Sequence, residues 1–182
     1  ETRADLVEKS RALAARLGFG RMSFLNLSVA ESADAREMPE RIDIVTALHA
    51  CDTATDHAID LGLRGGAAVI VCSPCCHKEL RPQLLSPHPL RPILQHGVHL
   101  GQEAEMVTDS LRALLLEACG YDTKVFEFVS LEHTNKNKMI LAVKRPEPVS
   151  PAELLEKVQA IKQFYGIQEQ CLESLLKADG RI

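Results

Sequence analysis

Two apolar runs of strand length, Ile42 to Leu48 and Ala67 to Cys72, flank a segment of helical character from Asp52 to Leu63 that exits at Gly65-Gly66. A strand, a helix and a strand within about thirty residues make a βαβ unit, and this commits the chain to an α/β fold. Parallel neighbours need a long crossover between them, and that crossover is right-handed. Ile42 to Leu48 is apolar apart from Asp43 and Thr46, so both runs are expected as buried strands. Each leads directly into polar residues: His49-Ala50-Cys51-Asp52 after the first, Pro74-Cys75-Cys76-His77 after the second. These residues emerge at the carboxyl ends of strands, where open α/β sheets bind their ligands.

The remaining elements extend the pattern. Arg3 to Leu17 places Leu6, Val7, Ala12, Leu13 and Leu17 among charges at helical spacing, with Gly18 and Gly20 suited to the stop. Met22 to Val29, with Phe24, Leu25 and Leu27, is expected as a strand. A short helix is expected over Cys75 to Leu85. Beyond it Pro82, Pro87, Pro89 and Pro92 predict an irregular loop able to cap a site. Gly101 to Cys119 is the longest amphipathic helix, its apolar face formed by Met106, Val107, Leu111, Leu114, Leu115 and Ala118. Lys124 to Val129 and Met139 to Val143 are two further strands, joined by the polar stretch Leu131 to Lys138 and expected as an antiparallel pair at the sheet edge. Helices over Pro151 to Tyr165 and Gln168 to Ala178 close the chain. This order predicts a three-layer α/β fold in a single domain.

Composition narrows the function classes. The chain has 182 residues, 46% of them hydrophobic, and a net charge of −4, which gives no global basic footprint for nucleic acid. With no Trp, two Tyr and five Phe there are few stacking platforms for single strands, so an RNA partner would be held by shape and backbone contacts. Six cysteines, two of them adjacent, do not form a disulfide framework and fit a reducing cytoplasm. No apolar run reaches the roughly 20 residues that span a bilayer. The chain begins with Glu1, not Met, and is expected to lack an upstream segment.

Several strand-end residues carry two readings. Asp52 is both a favoured N-cap for the following helix and a candidate for cofactor or substrate binding. Asp56, with Thr53 and Thr55 in the first helical turn, is expected to improve the dipole there, the alternative being to orient His49 or a substrate. His49 is the better candidate for proton transfer because an unperturbed imidazole titrates near neutrality. Its plain reading is a packed histidine satisfied by a backbone carbonyl. Cys51, two residues on, is expected as a small buried hydrophobe.

Pro74 fixes a turn after which the side chains of Cys75 and Cys76 are expected to splay apart. Cys75, Cys76 and His77 are candidates for lining the reactive crevice. A nucleophilic cysteine would need a lowered pKa from a basic neighbour such as His77, Lys78 or Arg81. A metal site from His49, Cys51, Cys72, Cys75, Cys76 and His77 is not expected, because Cys72 lies within a strand and Cys75-Cys76 are consecutive. His133, Asn135, Lys136, Asn137 and Lys138 are expected in an exposed loop near the substrate entrance. Lys78, Arg81 and Arg91 are candidates for a modest basic rim, solvated charge being the alternative.

With these residues in place, the chain resembles class I S-adenosylmethionine-dependent methyltransferases. The branch concerned carries LHACDxATD after one strand and PCC(H/Q) after the next, here Leu48 to Asp56 and Pro74 to His77. Phe126-Glu127-Phe128-Val129 to Asn137, then Met139 to Lys144, is similar to the family's final strand hairpin. The branch is itself similar to a eukaryotic tRNA ribose methyltransferase. The resemblance implies a Rossmann-like sheet, mostly parallel with an antiparallel final strand. It also implies S-adenosylmethionine as cofactor over the carboxyl ends of the first strands. No glycine-rich cofactor turn occurs in the sequence, so the first strand of that pattern is expected to lie upstream. By the same resemblance Glu1 takes the place of the ribose-binding acid, Leu27, Ser28 and Val29 line the adenine, and Leu48, His49 and Ala50 contact the cofactor.

The leading expectation is methyl transfer to a nucleophile on a macromolecule, RNA or protein, with Asp52, Cys75, Cys76 and His77 lining the crevice and His49 as candidate base. The alternatives are a thiol- or zinc-dependent enzyme built on the cysteine–histidine cluster, and a non-catalytic binding domain of the same fold.

Overall fold

The computed structural model describes residues 1–32, 38–85, 88–129, 137–147 and 150–182, and the chain divides into two compact units, Glu1–Pro39 and Glu40–Ile182. The first unit holds α1 (Ala4–Arg16) and α2 (Val29–Ser32). Val7 and Ala14 are the buried residues of α1, while Leu13 and Leu17 of its expected apolar face are exposed. The strand expected over Met22 to Val29 is not formed. Phe24 O accepts from the Arg11 guanidinium at 3.1 Å, and Asn26 donates to Glu1 O at 3.0 Å, so side chains supply the bonds a strand ladder would. At its end Ser28 and Glu31 make a capping box: Ser28 Oγ accepts from Glu31 N–H at 3.2 Å, and the Glu31 carboxylate accepts from Ser28 N–H at 2.8 Å. That S-x-x-E signature favours a helical turn where the apolar residues alone suggest a strand.

The second unit is built on a four-stranded mixed sheet of β1 (Ile44–Leu48), β2 (Val69–Ser73), β3 (Tyr121–Glu127) and β4 (Lys138–Lys144), in the order β1-β2-β4-β3. β1 and β2 are parallel, in register from Ile44↔Val69 to Leu48↔Ser73, with α3 (Thr53–Arg64) as their crossover. β4 runs antiparallel to both β2 and β3 and lies between them, leaving β3 at the edge. β1 alternates, with Val45 and Ala47 buried but Ile44 and Leu48 exposed, so it is half-buried, in contrast to the fully buried strand its composition suggests. α3 packs on β1 and β2 because Gly62 has no side chain: a Cβ there would lie 2.9 Å from Ile70 Cδ1 and 3.2 Å from Val45 Cγ2. Gly66, at φ +66°, turns the chain from α3 into β2.

After β2 the expected helix over 75–85 is replaced by turns and a short 3₁₀ segment, Gln83–Leu85. Two of the N–H groups in this stretch, those of Lys78 and Glu79, are drawn to the Asp52 carboxylate, and Pro82 has none. α4 (Arg91–Leu94) forms within the proline-rich stretch, because Pro92 occupies the first helical turn, where no intrahelical N–H bond is lost. α5 (Gly97–Ala118) then packs against β3, β4 and α6 (Ala152–Tyr165), and α7 (Cys171–Ala178) packs on α3. Leu111, Leu115, Leu116, Ile140, Ala142, Leu172 and Leu176 are essentially inaccessible and form the core. Met106 is half exposed, and the face of α5 turned inward instead includes Thr108, Asp109 and Arg112. No helix among the described residues is long and apolar enough to cross a membrane.

Candidate functional site

The parallel register of β1 and β2 ends at Leu48 and Ser73, which delivers the two motif segments side by side at one edge of the second unit. Between Leu48 and α3 the backbone is strained: His49 has φ +56°, and Asp52 has φ +56° with ψ −127°, conformations that side chains disfavour. Cys51 sits between them. The loop is pinned by Thr55 Oγ1 donating to Ala50 O at 2.5 Å and by His49 N–H donating to Ser73 O at 3.2 Å.

Cys51 is exposed, in contrast to the buried hydrophobe expected, and its Sγ lies 3.2 Å from Cys75 Sγ and 3.7 Å from Cys76 Sγ. Cys75 Sγ and Cys76 Sγ are 3.8 Å apart, so these consecutive side chains converge where an extended backbone would splay them. Cys72 stays fully buried in β2. Burial pushes the Cys75 thiol up to about 12, reinforced by its contacts with Cys51 and Cys76, which is the opposite of what an activated nucleophile requires.

Asp52 does not cap α3. Its side chain makes no bond to the helix, because its Oδ1 accepts from Lys78 N–H at 2.8 Å and Glu79 N–H at 3.0 Å, clamping the first loop to the second. Asp56 is not a surface dipole partner either. It is wholly buried and meets Arg112, whose Nε donates to Asp56 Oδ1 at 3.1 Å and whose Nη2 donates to Asp56 Oδ2 at 2.5 Å. Gln170 Nε2 adds a bond to Asp56 Oδ1 at 2.8 Å, and Arg112 Nη2 also reaches Asp52 O at 2.9 Å. Arg112 Nη1 pairs with Asp109 Oδ1 at 3.3 Å, and that oxygen lies 3.1 Å from His77 Nε2. Burial opposes the Arg112 charge, but Asp56 and then Asp109 outweigh it and raise its pKa above the ordinary value. Glu79 is the counter-case: burial, followed by Asp56, pushes its carboxyl up to about 7, and its Oε2 is buried without a hydrogen-bond partner.

His77 is therefore a buried, oriented histidine, while His49 is exposed with no bond to its ring among the described residues, in contrast to the packed histidine expected. A cavity of about 380 Å³ is lined by Cys75, Cys76, His77, Lys78 and Arg81 on one side and by Gly97 to Glu105 of α5 on the other. Lys78 and Arg81 thus supply its basic rim, and Arg91 is not among the lining residues. Asn137 is fully buried and donates to Val129 O at 2.8 Å, and Lys138 pairs with Glu105 at 2.9 Å, so neither belongs to an exposed loop. His133, Asn135 and Lys136 lie outside the described residues.

In the first unit, the Glu1 carboxylate is exposed and Oε1 accepts from Arg3 N–H at 2.9 Å, with no partner for Oε2 among the described residues. Leu27 and Val29 are both half-buried, Val29 at the start of α2. Ser28 N–H and Oγ–H both donate to Glu31, which leaves neither donor for a ligand. Leu48 and His49 are exposed in the second unit, and Ala50 is half-buried.

Arg112, Asp109 and Glu79 are the site residues that sequence reasoning misses. Charges at 109 and 112 on the inward face of an otherwise apolar helix are the only sequence signal for two of them. A family model described as a methyltransferase domain matches residues 1–83, from α1 through β2 and the Pro74–His77 segment. The match covers less than half of the chain and marks a likeness of this part to methyltransferase domains. No curated protein and no solved structure matches the chain.

Proposed function

We propose that the chain is part of an S-adenosylmethionine-dependent methyltransferase acting on a nucleophile of a macromolecule, with RNA the first acceptor to test. The observation that carries this reading is the cavity beyond the ends of two parallel strands, with Lys78 and Arg81 on its rim, in a chain whose first 83 residues match a methyltransferase domain. A basic rim suits a phosphodiester backbone, which needs charge and reach, not base-specific contacts. The three-layer arrangement and a cytoplasmic setting belong to the same proposal; the sheet itself has one parallel and two antiparallel pairs, in contrast to the mostly parallel one expected.

The residues fit the cofactor in part. Within the first unit, the Glu1 carboxylate has one oxygen without a partner among the described residues, which suits a ribose hydroxyl, whereas Ser28 does not fit as a polar ligand, since Glu31 takes both of its donors. Within the second unit, taken by itself, Leu48 is an exposed apolar side chain. When bound, the cofactor supplies an electrophilic methyl group on a sulfonium. The chain's own contribution is positioning. Asp52 holds the second loop by two backbone N–H groups, Asp109 fixes His77 at the cavity wall, and the unencumbered ring of His49 is the group best able to accept a proton.

Calorimetric titration of S-adenosylmethionine and S-adenosylhomocysteine into this chain and into one extended upstream tests the reading. The extended chain is expected to bind both; if it is folded and binds neither, the reading fails. Transfer of labelled methyl groups to total RNA, and not to protein, is the outcome expected for the acceptor.

A further inference from the structure

We propose that Cys51, Cys75 and Cys76 form a three-thiolate site for a thiophilic divalent cation, Zn²⁺, with its fourth position open to water or an exogenous donor. A zinc–thiolate bond is about 2.3 Å, so sulfurs on three corners of a tetrahedral ion lie about 3.8 Å apart. The three separations here are 3.2, 3.7 and 3.8 Å, so a rearrangement of tenths of an ångström seats the ion. The three sulfurs are mutually close enough to share one ion, and among the described residues no further His, Cys, Asp or Glu joins the group. That gives a site with three protein ligands, as in catalytic zinc centres, where a closed structural site would have four.

The consecutive positions of Cys75 and Cys76 argue against a site only if the backbone is extended there. The observed convergence of both sulfurs on Cys51 removes that objection. The geometry is also held from behind. Asp52, next to Cys51, bonds the N–H groups of Lys78 and Glu79, two and three residues beyond Cys76, so the loops carrying the ligands are fixed to each other before any ion arrives. Cys51 lies between two residues with positive φ, a local cost that is understandable if it aims the sulfur. Two of the ligands line the 380 Å³ cavity, which puts the ion at its wall. Loading exchanges thiol protons for the cation and releases them to solvent.

The test is titration of Zn²⁺, and of Co²⁺ as a spectroscopic substitute, into the full chain kept reduced by a phosphine, competed against a chromophoric chelator. The expected result is one ion per chain, a thiolate-to-cobalt charge-transfer band with tetrahedral visible bands, and a rise in melting temperature on loading. Cys51→Ser, Cys75→Ser and Cys76→Ser should each weaken binding by roughly 100-fold or more, since loss of even an outer partner costs about 10–100-fold. Cys119→Ser, at the end of α5, should leave it unchanged. Circular dichroism of each metal-free variant separates loss of ligand from loss of fold, and Cys51→Ser, at an exposed position, is the variant least exposed to that ambiguity. Absence of stoichiometric binding, or binding unchanged in a folded Cys51→Ser variant, overturns the proposal. Affinity is read without cofactor or acceptor, so failure here leaves methyl transfer standing, and failure to bind S-adenosylmethionine leaves the metal site standing.

Discussion

Replacing Arg112 with methionine removes the guanidinium that, among the described residues, meets both Asp56 and Asp109, carboxylates that are 0% and 2% exposed. The guanidinium makes four bonds in this network, two to Asp56 and one each to Asp52 O and Asp109. Summing them at about 1.5–3 kcal/mol each for bonds to charged groups would overshoot, because the wild-type pair has already lost its hydration. The relevant quantity is the cost of leaving a buried charge unpaired, about 3–5 kcal/mol. Asp56 keeps Gln170 and Asp109 keeps His77, which places the expectation at the lower half of that range. A loss of about 3–4 kcal/mol corresponds to a melting temperature lower by roughly 6–16 °C for a chain of this size. Urea unfolding followed by circular dichroism measures it. The double variant Asp56→Leu/Arg112→Met, with no charge left at the first pair, should be more stable than Arg112→Met by at least about 1 kcal/mol, as coupled neighbours are. A single-variant loss below about 1 kcal/mol, or strictly additive effects, would refute the view that this network holds α5 against α3 and the strand-end loops.

Glu79 has its carboxyl pushed up to about 7 from 4.5 by burial and then Asp56, so the folded state prefers the protonated acid; its contribution to stability is full below pH about 4.5 and is lost as pH rises through about 7. Glu79→Gln should therefore gain about 1–2 kcal/mol over the wild type at pH 8, allowing for partial solvent screening, and none near pH 4.5; a gain independent of pH in urea melts excludes this account. Gly62→Ala should destabilise by about 1 kcal/mol, because crowding of Ile70 and Val45 at about 1–3 kcal/mol outweighs a helix-propensity gain of about 1; a thermal melt showing stabilisation would mean that α3 lifts away freely. Asp52→Ala should cost about 1–3 kcal/mol and speed amide exchange at Lys78 and Glu79, whereas Asp52→Asn, which keeps an acceptor and tolerates positive φ, should stay within about 0.5 kcal/mol; equal losses in both would show that the clamp is not a hydrogen-bonding one.

The elements that the sequence makes legible are those whose signal is local. Ile42 to Leu48, Asp52 to Leu63 and Ala67 to Cys72 announce β1, α3 and β2 because apolar runs and glycine exits survive without tertiary context. Where two local signals compete, composition misleads: the apolar residues of Met22 to Val29 outvote the Ser28–Glu31 capping box on paper, but the box forms, because it satisfies two backbone or hydroxyl donors at once. Asp52 and Asp56 were each suited to a helix N-terminus by position, and each is claimed by a stronger distant partner, the loop N–H groups of Lys78 and Glu79 in one case and Arg112 in the other. No periodicity encodes pairing across 26 or 56 residues.

For the same physical reason the motifs are legible in the sequence and their division of labour is not. Strand-end placement brings Cys51, Asp52 and Cys75 to His77 to one edge, and that follows from βαβ geometry alone. Which of them face solvent depends on backbone angles at His49 and Asp52 that ordinary residues rarely adopt, and on an aspartate–histidine–arginine chain that turns His77 inward. With His77 and Asp56 committed to the interior and Asp52 to the backbone, the groups left at this edge among the described residues include the thiol triad, the His49 ring and Lys78, with Arg81 beside them bonded through Nη2 to Gly97 O. A set so rich in sulfur is suited to a soft cation.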